Sequence, residues 1–331
     1  MKATRSRRAR WAAGALLGGA ILVLAGAGCF SFGAPKPAQI RDGETEQGFR
    51  LLREEKWSFA MGAFRKALEA DPNHAPARYG LGRVFTETGY VEGAEAEYRR
   101  AAELDPGYGE AYLGLAALLY ENGRYGEAEA NVLRAQKNGA GGSPQALFLL
   151  GLFAERRGAP YEAETDFRAS LEAAPSDAGT RLALVDLLMK LERFDDALFE
   201  LDRERFPRGE EDEVRIRMAD CRRRLGQDLE AERLYRQHAQ VFPLSPEPLW
   251  GLAVLSLRRG DAEGARDHIA SLAAILDPAE GAVLTGLAAA LESPDPFFVF
   301  LGRCRDAREG ASESFRARLD DMIRELVRDY E

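Results

Sequence analysis

Histidine and cysteine are scarce, with three of each among 331 residues. Cys29, Cys221 and Cys304 lie far apart and form no CxxC pair, so a disulfide framework, a zinc site and a redox motif all lack support. Cys221 and Cys304 read as buried small apolar residues. His74, His238 and His268 have no ligand partner at metal-binding spacing and read as structural or surface residues. No G-x-S-x-G, Walker A or H-E-x-x-H string occurs. Gly80-Leu81-Gly82 is half of a dinucleotide fingerprint without the strand that should precede it. Asp195-Asp196 and Glu210-Glu211 are adjacent in polar stretches, whereas acid–base catalysis needs opposed, partly buried groups. The expectation is a protein that is not an enzyme and needs no cofactor or metal. A net positive charge is lacking too. The net charge is -9, and without the five N-terminal cations the remainder stands near -14, which disfavours nucleic acid as a partner.

Those cations are Lys2, Arg5, Arg7, Arg8 and Arg10, and no acid accompanies them. Residues 11–28 carry no charge and lead through small residues to Cys29. A basic start, an apolar segment and a small-residue exit form the layout of a secretory signal. Three outcomes stay open: lipidation at Cys29, cleavage after Ala25-Gly26-Ala27, or an uncleaved anchor helix, since 18 apolar residues just reach spanning length. All three place the body outside the cytoplasm. Residues 29–40, with two prolines and no helical period, read as a tether.

The dominant signal is an internal repeat over 41–278. Gly48, Gly82, Ala116, Gly151, Val185, Ala219 and Ala253 follow one another at steps of 34 residues, with one step of 35 near the loop 139–144. Twelve residues after each stands an alanine: Ala60, Ala94, Ala128, Ala163, Ala197, Ala231 and Ala265. Four further on is a larger side chain, as in Phe64, Tyr98, Phe167 and Tyr235. Gly89, Gly123, Gly158, Gly226 and Gly260 sit seven after the small residue, where a left-handed residue ends a helix. Prolines 72, 106, 175, 207, 243 and 278 close most units. Together these predict antiparallel helix pairs that cross at small residues and are separated by turns. Val185, Ser170 and Glu204 depart from the pattern. After 278 the repeat fails, and a one-sided apolar stripe from Phe315 through Leu319, Met322 and Leu326 predicts helices over 279–331 that cap the array or dimerise.

With its 34-residue period and these signature positions, the sequence resembles the tetratricopeptide repeat (TPR) family. The resemblance implies an all-α, right-handed superhelical solenoid of about seven helix-turn-helix units with C-terminal capping helices. It also implies that first helices line a concave peptide-binding groove. By family register the groove holds Phe49, Leu52, Tyr79, Arg83, Leu113, Tyr120, Phe148, Leu152, Arg156, Met189, Lys190, Arg223, Arg224, Trp250 and Arg258. The early residues suit a peptide with apolar anchors, and the later cationic ones suit an acidic segment. The row Tyr79, Leu113 and Phe148 serves packing between hairpins equally well.

Gly28-Cys29 resembles a bacterial lipobox, which implies a lipidated Cys29 as first mature residue; Phe30 after it favours the outer membrane, facing the periplasm. The expected function is therefore a membrane-anchored, non-catalytic scaffold that binds another envelope protein or peptide. Alternatives are a pilotin-like assembly factor for a secretion or pilus system, or an envelope polysaccharide-binding array.

Overall fold

The computed structural model describes residues 37–202, 206, 211–293, 296–308 and 311–328. The export segment, Cys29, most of the tether, Glu204, Pro207 and Tyr330 lie outside the described residues. The described residues form helices and no strand, and the chain divides into two compact units, ending at Leu187 and beginning at Leu188.

The first unit holds four hairpins: α1 (Pro37–Arg53) with α2 (Trp57–Ala70), α3 (Ala75–Glu87) with α4 (Val91–Leu104), α5 (Gly109–Glu121) with α6 (Tyr125–Ala135), and α7 (Pro144–Arg156) with α8 (Pro160–Ala173). The division falls inside α9 (Ala178–Lys190). The second unit continues with α10 (Phe194–Asp202), then pairs α11 (Glu211–Arg224) with α12 (Asp228–Val241), α13 (Pro246–Arg258) with α14 (Ala262–Ile275), and α15 (Pro278–Ala290) with α16 (Pro296–Ala307). A final helix, α17 (Glu313–Arg328), follows.

All seven repeats turn in the same way. Gly89, Gly123, Gly158, Gly226 and Gly260 have φ between 72° and 78°. Where glycine is missing, Glu55 and Glu192 take its place at φ 57° and 58°. The next residue then bonds back to the carbonyl five positions earlier, as Tyr90 does to Phe85 at 2.8 Å, Gln227 to Arg222 at 2.8 Å and Lys56 to Leu51 at 2.9 Å. This closure satisfies carbonyls that the helix end would otherwise leave bare.

Packing follows the repeat as well. The seven alanines from Ala60 to Ala265 are fully buried. In the first two repeats the large residue one turn further on lies over a glycine of its own hairpin and a glycine of the next. A Cβ on Gly82 would stand 2.6 Å from the Tyr98 ring, and one on Gly114 would stand 2.8 Å from it. Phe64 similarly blocks Gly48 and Gly80. The missing side chains are thus the sockets for the rings of the second helices. Ser170, at a position where alanine is usual, is buried but satisfied, its hydroxyl donating to the Pro144 carbonyl at 2.8 Å.

Two expectations needed correction. The last residues of the tether are helical, because α1 starts at Pro37, whose fixed φ suits a first helical turn. Pro278 opens α15 rather than ending the array, with the Asp277 carboxylate accepting from the amides of Ala279 and Glu280 at 3.0 and 3.1 Å. A further helix pair, α15 with α16, therefore follows the seventh repeat, and Gly281 of α15 approaches the Ala273 backbone of α14. In the third repeat, which has Ala140 at the closing-proline position, α6 runs on through a wide turn over Gln136–Ala140, with Gly139 at φ 82°. The extra residue of the 35-residue step is absorbed around this turn.

Candidate functional site

The groove register falls on first helices, whose inward residues have two fates. In the first unit, Tyr79, Leu113 and Phe148 are buried, and so is Leu52. An aromatic chain encloses Tyr79. Phe49 meets Phe64 edge-on at 5.1 Å and Tyr79 at 6.1 Å, and Tyr79 contacts Tyr98 at 5.7 Å and Tyr108 at 5.6 Å. The Tyr98 hydroxyl pairs with that of Thr86 at 3.1 Å. Burial raises the phenol pKa of Tyr79, against the pull of the nearby Arg83 cation. Phe148 packs on Phe167 at 6.0 Å. Tyr79 thus joins neighbouring hairpins through Phe49 and Tyr108, whereas the Phe148–Phe167 contact lies within one hairpin. Phe49, Arg83, Tyr120 and Leu152 stay half-exposed beside them, and Arg156 is exposed. The Arg156 guanidinium lies 3.5 Å from the centre of the Tyr125 ring, which in turn meets Tyr120 edge-on at 5.1 Å.

In the second unit Met189 is half-buried and Lys190 exposed. The cationic positions are already engaged. Arg223 is buried and bonds the Tyr235 hydroxyl at 2.9 Å, Asp220 at 3.2 Å and the carboxylate of Glu325. Burial works against its charge, but the field of Tyr235, Glu325 and Asp220 outweighs it and raises its pKa. Arg224 pairs with Asp321, with Glu325 at 3.2 Å and with Glu192 at 3.2 Å, and lies 5.0 Å from the Phe194 ring centre. Arg258 holds Asp228 at 2.9 Å and the Arg223 carbonyl at 3.1 Å. Trp250 is buried, with Phe315 set against it at 5.9 Å.

Asp321, Glu325 and Phe315 all belong to α17. The sequence marked α17 as amphipathic and the later groove as suited to an acidic segment; that the two meet is a tertiary fact. The residues missed by sequence reasoning are Tyr108, which completes the aromatic chain, and the acids of α17. The acids sit in an ordinary-looking charged helix, so no local signal singles them out.

Among the described residues no three His, Cys, Asp or Glu side chains gather as a metal ion would require, and no helix is long and apolar enough to cross a membrane. Burial pushes the Cys304 thiol up to about 12, away from the thiolate that reactivity needs, and Cys221 is buried too.

Family models described as tetratricopeptide repeat match residues 46–109 and 91–147. No curated protein matches. Among solved structures, the Cut9–Hcn1 hetero-tetramer of the APC/C is 16% identical, with a TM-score of 0.57; 76% of this chain and 48% of that one are covered, so a common fold is shown. A thermophilic TPR protein of Thermus thermophilus is 21% identical over 55% of this chain and 98% of its own, with a TM-score of 0.47. A structure from the functional characterization of Pseudomonas aeruginosa pilF is 22% identical over 72% and 93%, with a TM-score of 0.39. The described helices thus form tetratricopeptide-like stacks. That fold suggests a protein-interaction scaffold, and proteins that carry it bind peptides or proteins.

Proposed function

We propose that this array of tetratricopeptide-type hairpins is a non-catalytic scaffold, tethered to the envelope through Cys29, that holds a peptide segment of another envelope protein. The observation that carries the reading is the half-open row Phe49, Arg83, Tyr120 and Leu152 on the first unit's first helices. Its aromatic neighbours are already locked by packing, so the row is presented rigidly and little ordering entropy is lost on binding. Apolar anchors of a bound segment would settle between these side chains, with Arg83 and Arg156 at its polar edge. Confinement at a membrane raises the local concentration of scaffold around a membrane partner. The basic, apolar, small-residue start that ends at Cys29 supports export and lipidation, and Phe30 supports the outer membrane.

The test places a photoreactive amino acid at Tyr120 or, as control, at the exposed Phe59 of α2 in the native host. One partner crosslinked from position 120 and not from 59 is the expected result. Equal products from both positions, or none from 120, would overturn the groove. In the same strain Cys29→Ser should shift the protein from the membrane to the soluble fraction; unchanged membrane association would overturn lipid anchoring.

A further inference from the structure

Helix α17 packs against first helices of the second unit, α11 and α13. It contributes Phe315, Leu319, Met322 and Leu326 to an apolar cluster shared with Trp250, Val254 and Leu257 of α13, Leu284 and Leu287 of α15, and Phe300 and Leu301 of α16. One turn apart on the same helix, Asp321 and Glu325 are received by Arg223 and Arg224 of α11. Trp250, Arg223 and Arg224 are inward first-helix positions of successive repeats. The fit is that of an amphipathic helix in a groove, with apolar anchors on one side and paired carboxylates on the other.

Two features of this contact bear on how well its occupant fits. It is imperfectly satisfied: the Trp250 indole Nε1, Arg224 Nε and Glu325 Oε2 are buried with no hydrogen-bond partner among the described residues. Leaving such groups unpaired costs free energy that a better-matched occupant would recover. And the Arg223–Glu325 pair is buried on both sides, each side chain 8% exposed, so desolvation offsets much of its attraction. What such a pair supplies is register and selectivity for an acidic helix rather than tight closure.

We propose that the second unit's groove binds an amphipathic helix of a partner protein bearing two carboxylates one turn apart, and that α17 is its built-in competitor. A partner helix would displace α17 by offering the same acids to Arg223 and Arg224 together with an acceptor for the Trp250 N–H. The proposal rests on the scaffold reading but concerns different hairpins, so failed crosslinking at Tyr120 leaves its own test intact.

The test uses the full chain with a site-specific protease sequence built into residues 309–312 and cut only after folding. A fluorescent peptide of residues 313–328 is then added in excess and its anisotropy followed, with the uncut chain as control. The expected result is uptake by the cut chain, little uptake by the uncut chain, and at least tenfold weaker binding when the peptide carries Asp321→Lys and Glu325→Lys. Three results would each overturn the proposal: no exchange over a day, equal binding of the charge-reversed peptide, or loss of helical circular dichroism on cutting, which would make α17 an integral part of the fold.

Discussion

One backbone angle recurs in every repeat, and its cost depends on the residue that adopts it. Glycine takes a left-handed φ freely, whereas an L side chain there costs roughly 1–2 kcal/mol. Glu55 carries that cost in the first repeat at φ 57°. Glu55→Gly should therefore raise stability, by about 1 kcal/mol after allowing for the greater freedom of glycine in the unfolded chain. Gly82→Ala tests the opposite case, because its Cβ would stand 2.6 Å from the Tyr98 ring. Overpacking of this kind should cost roughly 1–3 kcal/mol. Urea denaturation of both variants checks the pair; a shift in the same direction for both would refute the account of turn and socket. Glu192 is a poorer test site, since its carboxylate also receives Arg224.

Among the elements, α17 has the most to explain. Its apolar stripe was legible from spacing, and burial of Phe315, Leu319, Met322 and Leu326 follows it. Its acids gain meaning only where they meet Arg223 and Arg224. Removing one partner of a buried ion pair strands the other, at a cost of roughly 3–5 kcal/mol, while removing both is milder. Arg223→Ala and Glu325→Ala should each be strongly destabilising, and the double variant should lose clearly less than the two losses combined. A double-mutant cycle by denaturation measures this; additive losses would mean the pair is not coupled. The wide turn after α6 makes the complementary point. Its position at Gln136–Ala140 coincides with the 35-residue step and with a repeat whose closing position is Ala140, so this irregularity was readable in advance.

For the molecule as a whole, acidity is the informative variable. His74, His238 and His268 all have pKa values lowered from 6.5, in each case chiefly by burial. Unfolding therefore lets these imidazoles take up protons at a higher pH than the folded chain does. Their contribution to stability is complete above 6.5 and is lost as pH falls from there through the lowered folded values. The urea midpoint should accordingly decrease between about pH 7.5 and 5.5, and a variant with all three histidines replaced by glutamine should show a flatter profile. A wild-type midpoint that is level or rises over this interval would contradict the burial of these rings.

The periodic sequence alone determined the all-α class, the seven turns, the buried alanines and the glycines that accept rings, because each depends on residues at most one repeat apart. It also marked the inward first-helix positions, since helix geometry orients them locally. Which of those positions stay open was decided by tertiary structure. Tyr79 and Phe148 are closed by the rings of Tyr98 and Phe167, and Arg223 by Glu325, 102 residues away in the chain. A repeat pattern specifies how neighbouring hairpins touch, but α17 lies outside the pattern, and its docking depends on shape and charge that meet only once the chain has folded.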